Sequence, residues 1–409
     1  MKVLAYTSPA RGHAYPFAAI LTELAQRGHA VAVRTLASEV PMMTSLGFAA
    51  GAIDPAIEAI RHDDWQAKNP RSALQRSVAT LASRASHDAA DLQSAVDADR
   101  PDVLIVDVNT WGAIAAAEAS GLPYAVVCPY PLALSSPDVP PFGPGFAPAR
   151  GLLGRARDRV TRPLLSGMID RTLLPRVNEA RSTLGLAALA TADELFLRPP
   201  LVLYLTAEPF EYARRAWPAN IAMVGPCAWE PPAPAPTWLD DVDKPLVLVT
   251  TSSEFQDDAR LAQCAFDALR DEDVCVVATL PSSEAAELRV PSNGRAVSFV
   301  PHGAVLERAV CAVTHGGMGA TQKALARGVP VCAVPFGRDQ LEVARRVDVA
   351  EAGTRLSPGR MNPARLRAAV MAAVDRRPGA ERVASGFAAA GGPASAAERV
   401  ELLVRSRVR

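Results

Sequence analysis

Short apolar runs alternate with segments of helical spacing along the whole chain. Residues 2–7 form the first apolar run and give way to a loop containing Pro9 and Gly12. Between 16 and 26, Phe17, Ile20, Leu21 and Leu24 recur at helical intervals, so they share one face of a predicted helix. Gly28 stops it, and residues 30–35 read as the next strand. Strand and helix in alternation predict an α/β fold, a parallel sheet with helices on both faces.

A faint repeat divides the chain. Residues 101–107 are an apolar run ending in Asp107, followed by a small-residue helix, Gly121 and a second apolar run. Residues 309–315 are again an apolar run ending in polar residues, followed by a helix, Gly328 and another apolar run. The repeat predicts two similar halves, over 1–225 and 244–390. Between them, 226–243 holds Pro226, Pro231, Pro232, Pro234 and Pro236, the composition of an extended linker. Residues 391–409 read as a final helix after a Gly/Pro break, packing back towards the first half. A second proline-rich stretch, 129–148, reads as a long surface loop that shapes a binding site.

Composition narrows the function classes. A chain of 409 residues exceeds one typical core, which agrees with two domains. Lysine plus arginine and aspartate plus glutamate are 43 each, so bulk charge gives no reason to expect nucleic acid or an anionic membrane. No apolar run approaches the ~20 residues of a membrane span, and the start lacks a signal-peptide pattern. Cysteines stand at 128, 227, 264, 275, 311 and 332 without a CxxC, as expected of small buried hydrophobes in a reducing cytoplasm.

Three places carry candidate chemistry. Thr314-His315-Gly316-Gly317-Met318-Gly319-Ala320-Thr321 joins an apolar strand to a helix. Unpaired N–H groups and the dipole at a helix start suit a phosphate, and glycines let it approach, although a plain turn has the same local sequence. Gln322 stands where a dinucleotide fingerprint needs a third glycine or alanine, and no Gly-Lys-Ser/Thr of a Walker loop occurs. His13 reads as lying just before a helix, whose dipole would keep it neutral and able to accept a proton, although the local sequence by itself favours an ordinary loop or capping histidine. Asp107 ends an apolar strand, where a carboxylate orients an imidazole or simply caps a helix. Asp97-Ala98-Asp99 and Asp241-Val242-Asp243 have DxD spacing but read as solvated charge in polar connections. His29 reads as a helix-end marker, and His62 and His87 lack metal-ligand spacing.

With these pieces placed, the chain resembles the GT-B glycosyltransferases, and more narrowly the actinobacterial antibiotic and macrolide glycosyltransferases. The order Phe299-Val300-Pro301-His302, then residues 314–321, then Gly328-Val329-Pro330, then Asp339-Gln340 carries the resemblance. It implies two Rossmann-like doubly wound domains facing a central cleft, the first for the acceptor and the second for a nucleotide-sugar. Phe299 matches the aromatic that stacks on the base, and Val300 the position whose backbone reads its edge. His315, with the amides around Gly316, Gly317, Gly319, Ala320 and Thr321, matches the diphosphate cradle. Asp339 and Gln340 match the pair that binds the sugar hydroxyls, and Thr251, Ser252 and Ser253 a further contact loop. Gly12-His13 matches the catalytic histidine motif and Asp107 its carboxylate partner.

Two positions depart from the family pattern. His302 stands where Gln is frequent, and Lys323 where a ribose-binding Glu is frequent in UDP-sugar enzymes. A lysine accepts no hydrogen bond, which leaves room for a dTDP-sugar, whose deoxyribose lacks the 2′-hydroxyl. The resemblance therefore implies an inverting, metal-independent transfer from a dTDP- or UDP-sugar to a hydroxyl of a hydrophobic natural-product aglycone. The nucleotide-sugar is a co-substrate, no cofactor or metal is expected, and a homodimer is an allowed assembly. Trp65, Phe142 and Phe146 are candidates for the acceptor site or for plain packing. A sugar-nucleotide epimerase of the same fold, a dehydrogenase and a non-catalytic sugar-nucleotide-binding protein are the rival readings.

Overall fold

The computed structural model describes residues 1–254, 258–281 and 288–407. The first half is a parallel sheet of β1 (Lys2–Tyr6), β2 (Ala30–Thr35), β3 (Ala49–Ala52), β4 (Val103–Asp107), β5 (Tyr124–Cys128), β6 (Leu201–Tyr204) and β7 (Ile221–Met223). Their spatial order is β3-β2-β1-β4-β5-β6-β7. The second half is a parallel sheet of β8 (Leu246–Thr250), β9 (Cys275–Thr279), β10 (Gly294–Val297), β11 (Ala309–Thr314), β12 (Val331–Ala333) and β13 (Gly353–Arg355). Its order, β10-β9-β8-β11-β12-β13, repeats that of the first. Both are doubly wound, with the chain reversing direction between β1 and β4 and between β8 and β11. Such a switch point opens a crevice at the carboxyl ends of the strands.

The hydrophobic pattern explains the layers. Every residue of β4, β5, β8 and β9 is buried, as required of strands covered on both faces. Along β4, Val103 and Ile105 enter one core while Leu104 and Val106 enter the opposite one, following the two-residue period of a strand. Helix Gly392–Arg407 packs on helix Arg11–Gln26 and places Ala396, Ala397 and Val400 in the first half's core. His29 Nε2 bonds Glu401 there at 2.9 Å. The chain thus crosses between the halves twice, and the crossings touch: Gly392 N–H donates to the Val224 carbonyl at 2.6 Å.

Three local expectations are corrected. The first helix starts at Arg11, with Pro16 inside it, so His13 lies in its first turn rather than before it. Asp97 and Asp99 end the long helix Pro70–Asp99 rather than lying in a connection, and Asp99 pairs with Arg34 at 3.2 Å. The 129–148 stretch has no regular structure but is not simply a surface loop: Leu132, Val139 and Pro141 are buried. Its Gly143 and Gly145 N–H groups both donate to Glu342 Oε1, at 2.8 and 2.9 Å, which draws it onto helix Gln340–Val349 of the other half.

That helix also carries Arg346, buried against the first half. Its guanidinium donates to Glu211 at 2.9 and 2.8 Å and to Glu342 Oε2 at 3.1 Å. Glu211 also accepts from the Tyr204 hydroxyl. Burial alone would raise the Glu211 pKa, but Arg346 outweighs it and holds the carboxylate below its ordinary range. The two halves therefore meet through a desolvated ion network in which every charge has a partner.

Candidate active site

Loops leaving the carboxyl ends of β1, β4, β8 and β11 enclose a cavity of about 660 Å³ between the halves. On the first wall, His13 Nδ1 lies 2.7 Å from the buried Asp107 carboxylate at the end of β4. The other Asp107 oxygen accepts the Asn109 N–H at 2.8 Å. Tyr130 OH donates to Asn109 Oδ1 at 2.9 Å, which turns the Asn109 amide nitrogen toward His13 Nε2, 3.4 Å away. A carboxylate accepts and an amide nitrogen donates. Both contacts therefore select one tautomer, with the proton on Nδ1 and a lone pair on Nε2.

Burial alone would lower the His13 pKa. The Asp107 carboxylate and its hydrogen bond, with Glu254 and Asp339 further off, outweigh it and raise the pKa. This runs against the expectation that the helix start keeps the histidine neutral: the neighbouring carboxylates favour the imidazolium.

His315 stands on the facing wall. Its Nδ1 lies 3.5 Å from the Thr250 carbonyl, and its Nε2 would come within 2.3 Å of a Cβ at Gly317, so the ring needs glycine there. Helix Met318–Leu325 begins at once, and its opening N–H groups have no partner within the helix. Gly12, Gly317, Gly319 and Ala320 line the cavity with His315. Gly316 and Thr321 do not. Gly316 N–H donates to Thr314 Oγ1 at 3.1 Å, and Thr321 Oγ1 lies 3.4 Å from the same hydroxyl. Thr314 thereby ties the strand end to the helix and engages both residues away from the cradle.

At one end of this wall, Phe299 is half-exposed over the cavity with Val300 buried beside it. His302 Nε2 lies 3.2 Å from Thr279 Oγ1, and burial together with Lys323 pushes its pKa down to about 4 despite Glu230. Thr251, Ser252 and Ser253 also line the cavity; Thr251 Oγ1 donates to the Thr279 carbonyl at 3.1 Å. At the other end, Gln340 Oε1 accepts the Phe336 and Gly337 N–H groups at 2.7 and 3.0 Å, which fixes the loop carrying Asp339. Burial raises the Asp339 pKa.

Trp65, Phe142 and Phe146 are not on the cavity wall. In the turn Asp64–Gln66 the inward position belongs to Asp64, which holds Arg338. Glu342 draws the loop of Phe142 against the second half, and Phe146 lies under the Arg157 guanidinium at 4.6 Å. Among the described residues, no group of three or more His, Cys, Asp or Glu is arranged to hold a metal ion. No described helix is long and apolar enough to cross a membrane.

Residues 263–403 match the family described as erythromycin biosynthesis protein CIII-like, C-terminal domain. The chain is 31% identical to 4'-demethylrebeccamycin synthase of Lentzea aerocolonigenes, over 98% of this chain and 99% of that protein. It belongs to the antibiotic glycosyltransferases. Demethyllactenocin mycarosyltransferase of Streptomyces fradiae is 27% identical over 97% of this chain and 85% of its own length. The fold is GT-B. The crystal structure of glycosyltransferase VinC in complex with dTDP superposes with a TM-score of 0.73 at 22% identity, covering 99% of this chain and 100% of that one. The calicheamicin glycosyltransferase CalG4 gives 0.71 at 21%, covering 98% of each chain.

Sequence reasoning missed several polar groups of this glycosyltransferase. Asn109 and Tyr130 follow β4 and β5, and no spacing rule marks them as partners of His13. Arg338 donates to Asp64 at 2.9 and 3.0 Å and to Glu254 at 2.6 Å, bridging both halves beside Asp339. Glu230, from the proline-rich linker, accepts the His302 and Gly303 N–H groups at 3.0 and 2.9 Å and lies 3.6 Å from Lys323 Nζ. Only the positions of Arg338 next to Asp339, and of a lone acid within a proline run, offered any signal.

Proposed function

We propose that this glycosyltransferase moves a sugar from a nucleoside diphosphate sugar, dTDP in preference to UDP, to a hydroxyl of a hydrophobic natural-product aglycone. The observation that carries the reading is the His13–Asp107 pair, with Nε2 turned away from the carboxylate, across one cavity from His315 and a helix start. Relatives named for rebeccamycin and lactenocin chemistry, and a similar fold in complex with dTDP, support the substrate classes.

His13 Nε2 takes the acceptor hydroxyl proton as its oxygen forms a bond to the anomeric carbon. Asp107 stabilises the imidazolium that results. The bond from the anomeric carbon to the diphosphate oxygen breaks, and its electron pair leaves with the nucleotide. Attack opposite the leaving group inverts the anomeric centre. His315 and the N–H groups opening helix Met318–Leu325 stabilise the departing charge, a role that a metal plays elsewhere. The intact dyad favours a transferase over a binding protein.

The Lys323–Glu230 pair supports dTDP. Lys323 is a donor only and accepts nothing from a ribose 2′-hydroxyl, and Glu230 beside it is already engaged by the His302 and Gly303 N–H groups and by Lys323. A thermal-shift panel of UDP, dTDP and GDP reads the choice. A ligand at 100 times its Kd adds about 2.7 kcal/mol. The expected ranking is dTDP above UDP, with GDP inert; UDP stabilising more than dTDP would refute the preference.

The raised His13 pKa sets the pH dependence. The base works only when neutral, so kcat/KM should fall as pH drops through a value above the ordinary histidine pKa of ~6.5. Asp107→Asn removes the largest raising influence and should move that limb to lower pH, with slower turnover. A pH–rate profile of both enzymes checks this, and an unshifted limb in the variant would assign the titration elsewhere.

A further inference from the structure

Helix Gly151–Ser182 buries apolar side chains in its later part and leaves those of its first turns exposed. Leu173, Val177 and Arg181 of its later part are buried, whereas Asp158 is the one buried residue before them. Its first turns carry Leu152, Leu153, Val160 and Leu164 with 78%, 88%, 63% and 65% of their surface exposed. At about 100° per residue, Leu153, Val160 and Leu164 fall within about 40° of one another, and Leu152 widens the stripe. Large aliphatic side chains so exposed on one face form a patch that calls for a partner.

The charge around this stripe is one-sided. Arg150, Arg155, Arg157, Arg159 and Arg162 stand against a single acid, Asp158, which Arg157 already holds at 2.7 Å. Arg155 and Arg159 are exposed along one edge of the stripe, and Arg150 is exposed at the helix start. Among the described residues none of these three has an ion-pair partner. The chain as a whole is neutral, so this helix is a local basic element that the bulk balance conceals.

We propose that the first turns of helix Gly151–Ser182 dock on an anionic lipid surface, with the aliphatic stripe in the headgroup boundary and Arg150, Arg155 and Arg159 on lipid phosphates. An apolar face edged by arginine is the pattern of a helix lying in a membrane interface. A second copy of this chain fits the face poorly, because a two-fold interface sets the same arginines against each other. None of the stripe residues lines the cavity, so the proposed docking face and the candidate active site are separate surfaces.

The test is flotation of the full chain with vesicles of phosphatidylcholine alone, or with about 40% phosphatidylglycerol, at about 50 and 500 mM salt. The expected result is at least about tenfold more protein on the anionic vesicles at low salt, and release at high salt. Leu153→Glu/Leu164→Glu and Arg155→Glu/Arg159→Glu should each abolish flotation while keeping the melting temperature and the turnover of a water-soluble acceptor. The proposal is overturned if the wild type ignores anionic vesicles, or if both variants float as it does. It is equally overturned if light scattering finds a wild-type dimer that Leu153→Glu/Leu164→Glu converts to monomer, since a second copy then covers the face. Flotation needs no turnover, so its outcome is independent of the proposed reaction.

Discussion

His13→Ala is expected to lose about 10²- to 10⁴-fold in sugar transfer while binding the donor nucleotide as tightly as the wild type. The split follows from where the side chain stands. His13 belongs to the first half and is held by Asp107, whereas His315, Phe299 and the opening of helix Met318–Leu325 belong to the second. Removing the imidazole deletes the proton acceptor and touches none of those groups. It also leaves Asp107 buried with the Asn109 N–H as a remaining partner, so water entering the vacated space is a poor substitute base. Single-turnover rates with saturating donor, beside a dissociation constant for dTDP, separate the two quantities. Near-normal turnover would remove His13 from the mechanism, and a parallel loss of nucleotide affinity would assign it to donor binding.

Arg346→Ala is expected to cost about 3–5 kcal/mol of stability. The substitution leaves Glu211 and Glu342 buried without their cation. For a unit of 150–250 residues a loss of each kcal/mol lowers Tm by roughly 2–4 °C, so calorimetry should record a fall of about 10 °C. The pH dependence has a definite sign. Arg346 holds the folded-state pKa of Glu211 below its unfolded value, so that stabilisation is complete above the ordinary glutamate range and lost as pH falls through the depressed value. The gap between wild type and variant should therefore be widest near neutrality and narrow in acid. Arg346→Met with Glu211→Gln and Glu342→Gln removes the stranded charges as well and should recover most of the loss. A variant no less stable than wild type would show that the network contributes nothing to folding.

Much of this architecture was legible in the chain. The apolar runs located the strands, and the repeat around Asp107 and His315 foretold two sheets with one winding. What stayed hidden was pairing across distance. Period and spacing describe one element at a time, whereas Arg338–Asp64, Glu230–Lys323 and Arg346–Glu211 join segments far apart in sequence. Pro16 misled because proline is expected to open a helix, and here it lies inside one. Gly316 and Thr321 were read as ligand contacts because they sit in the motif; Thr314 turns both to structural use. Trp65 was a candidate as an apolar loop residue, but the neighbouring Asp64 is the one that faces inward.

The two crossings between the halves meet at Val224 and Gly392, one hydrogen bond apart. A body tied to another at a single thread can swivel in every direction. Two threads pinned together at one edge act as a door hinge and restrict relative motion to a swing. Any relative motion of the halves then reduces to one angle, which keeps His13 and His315, on opposite leaves of the door, facing each other.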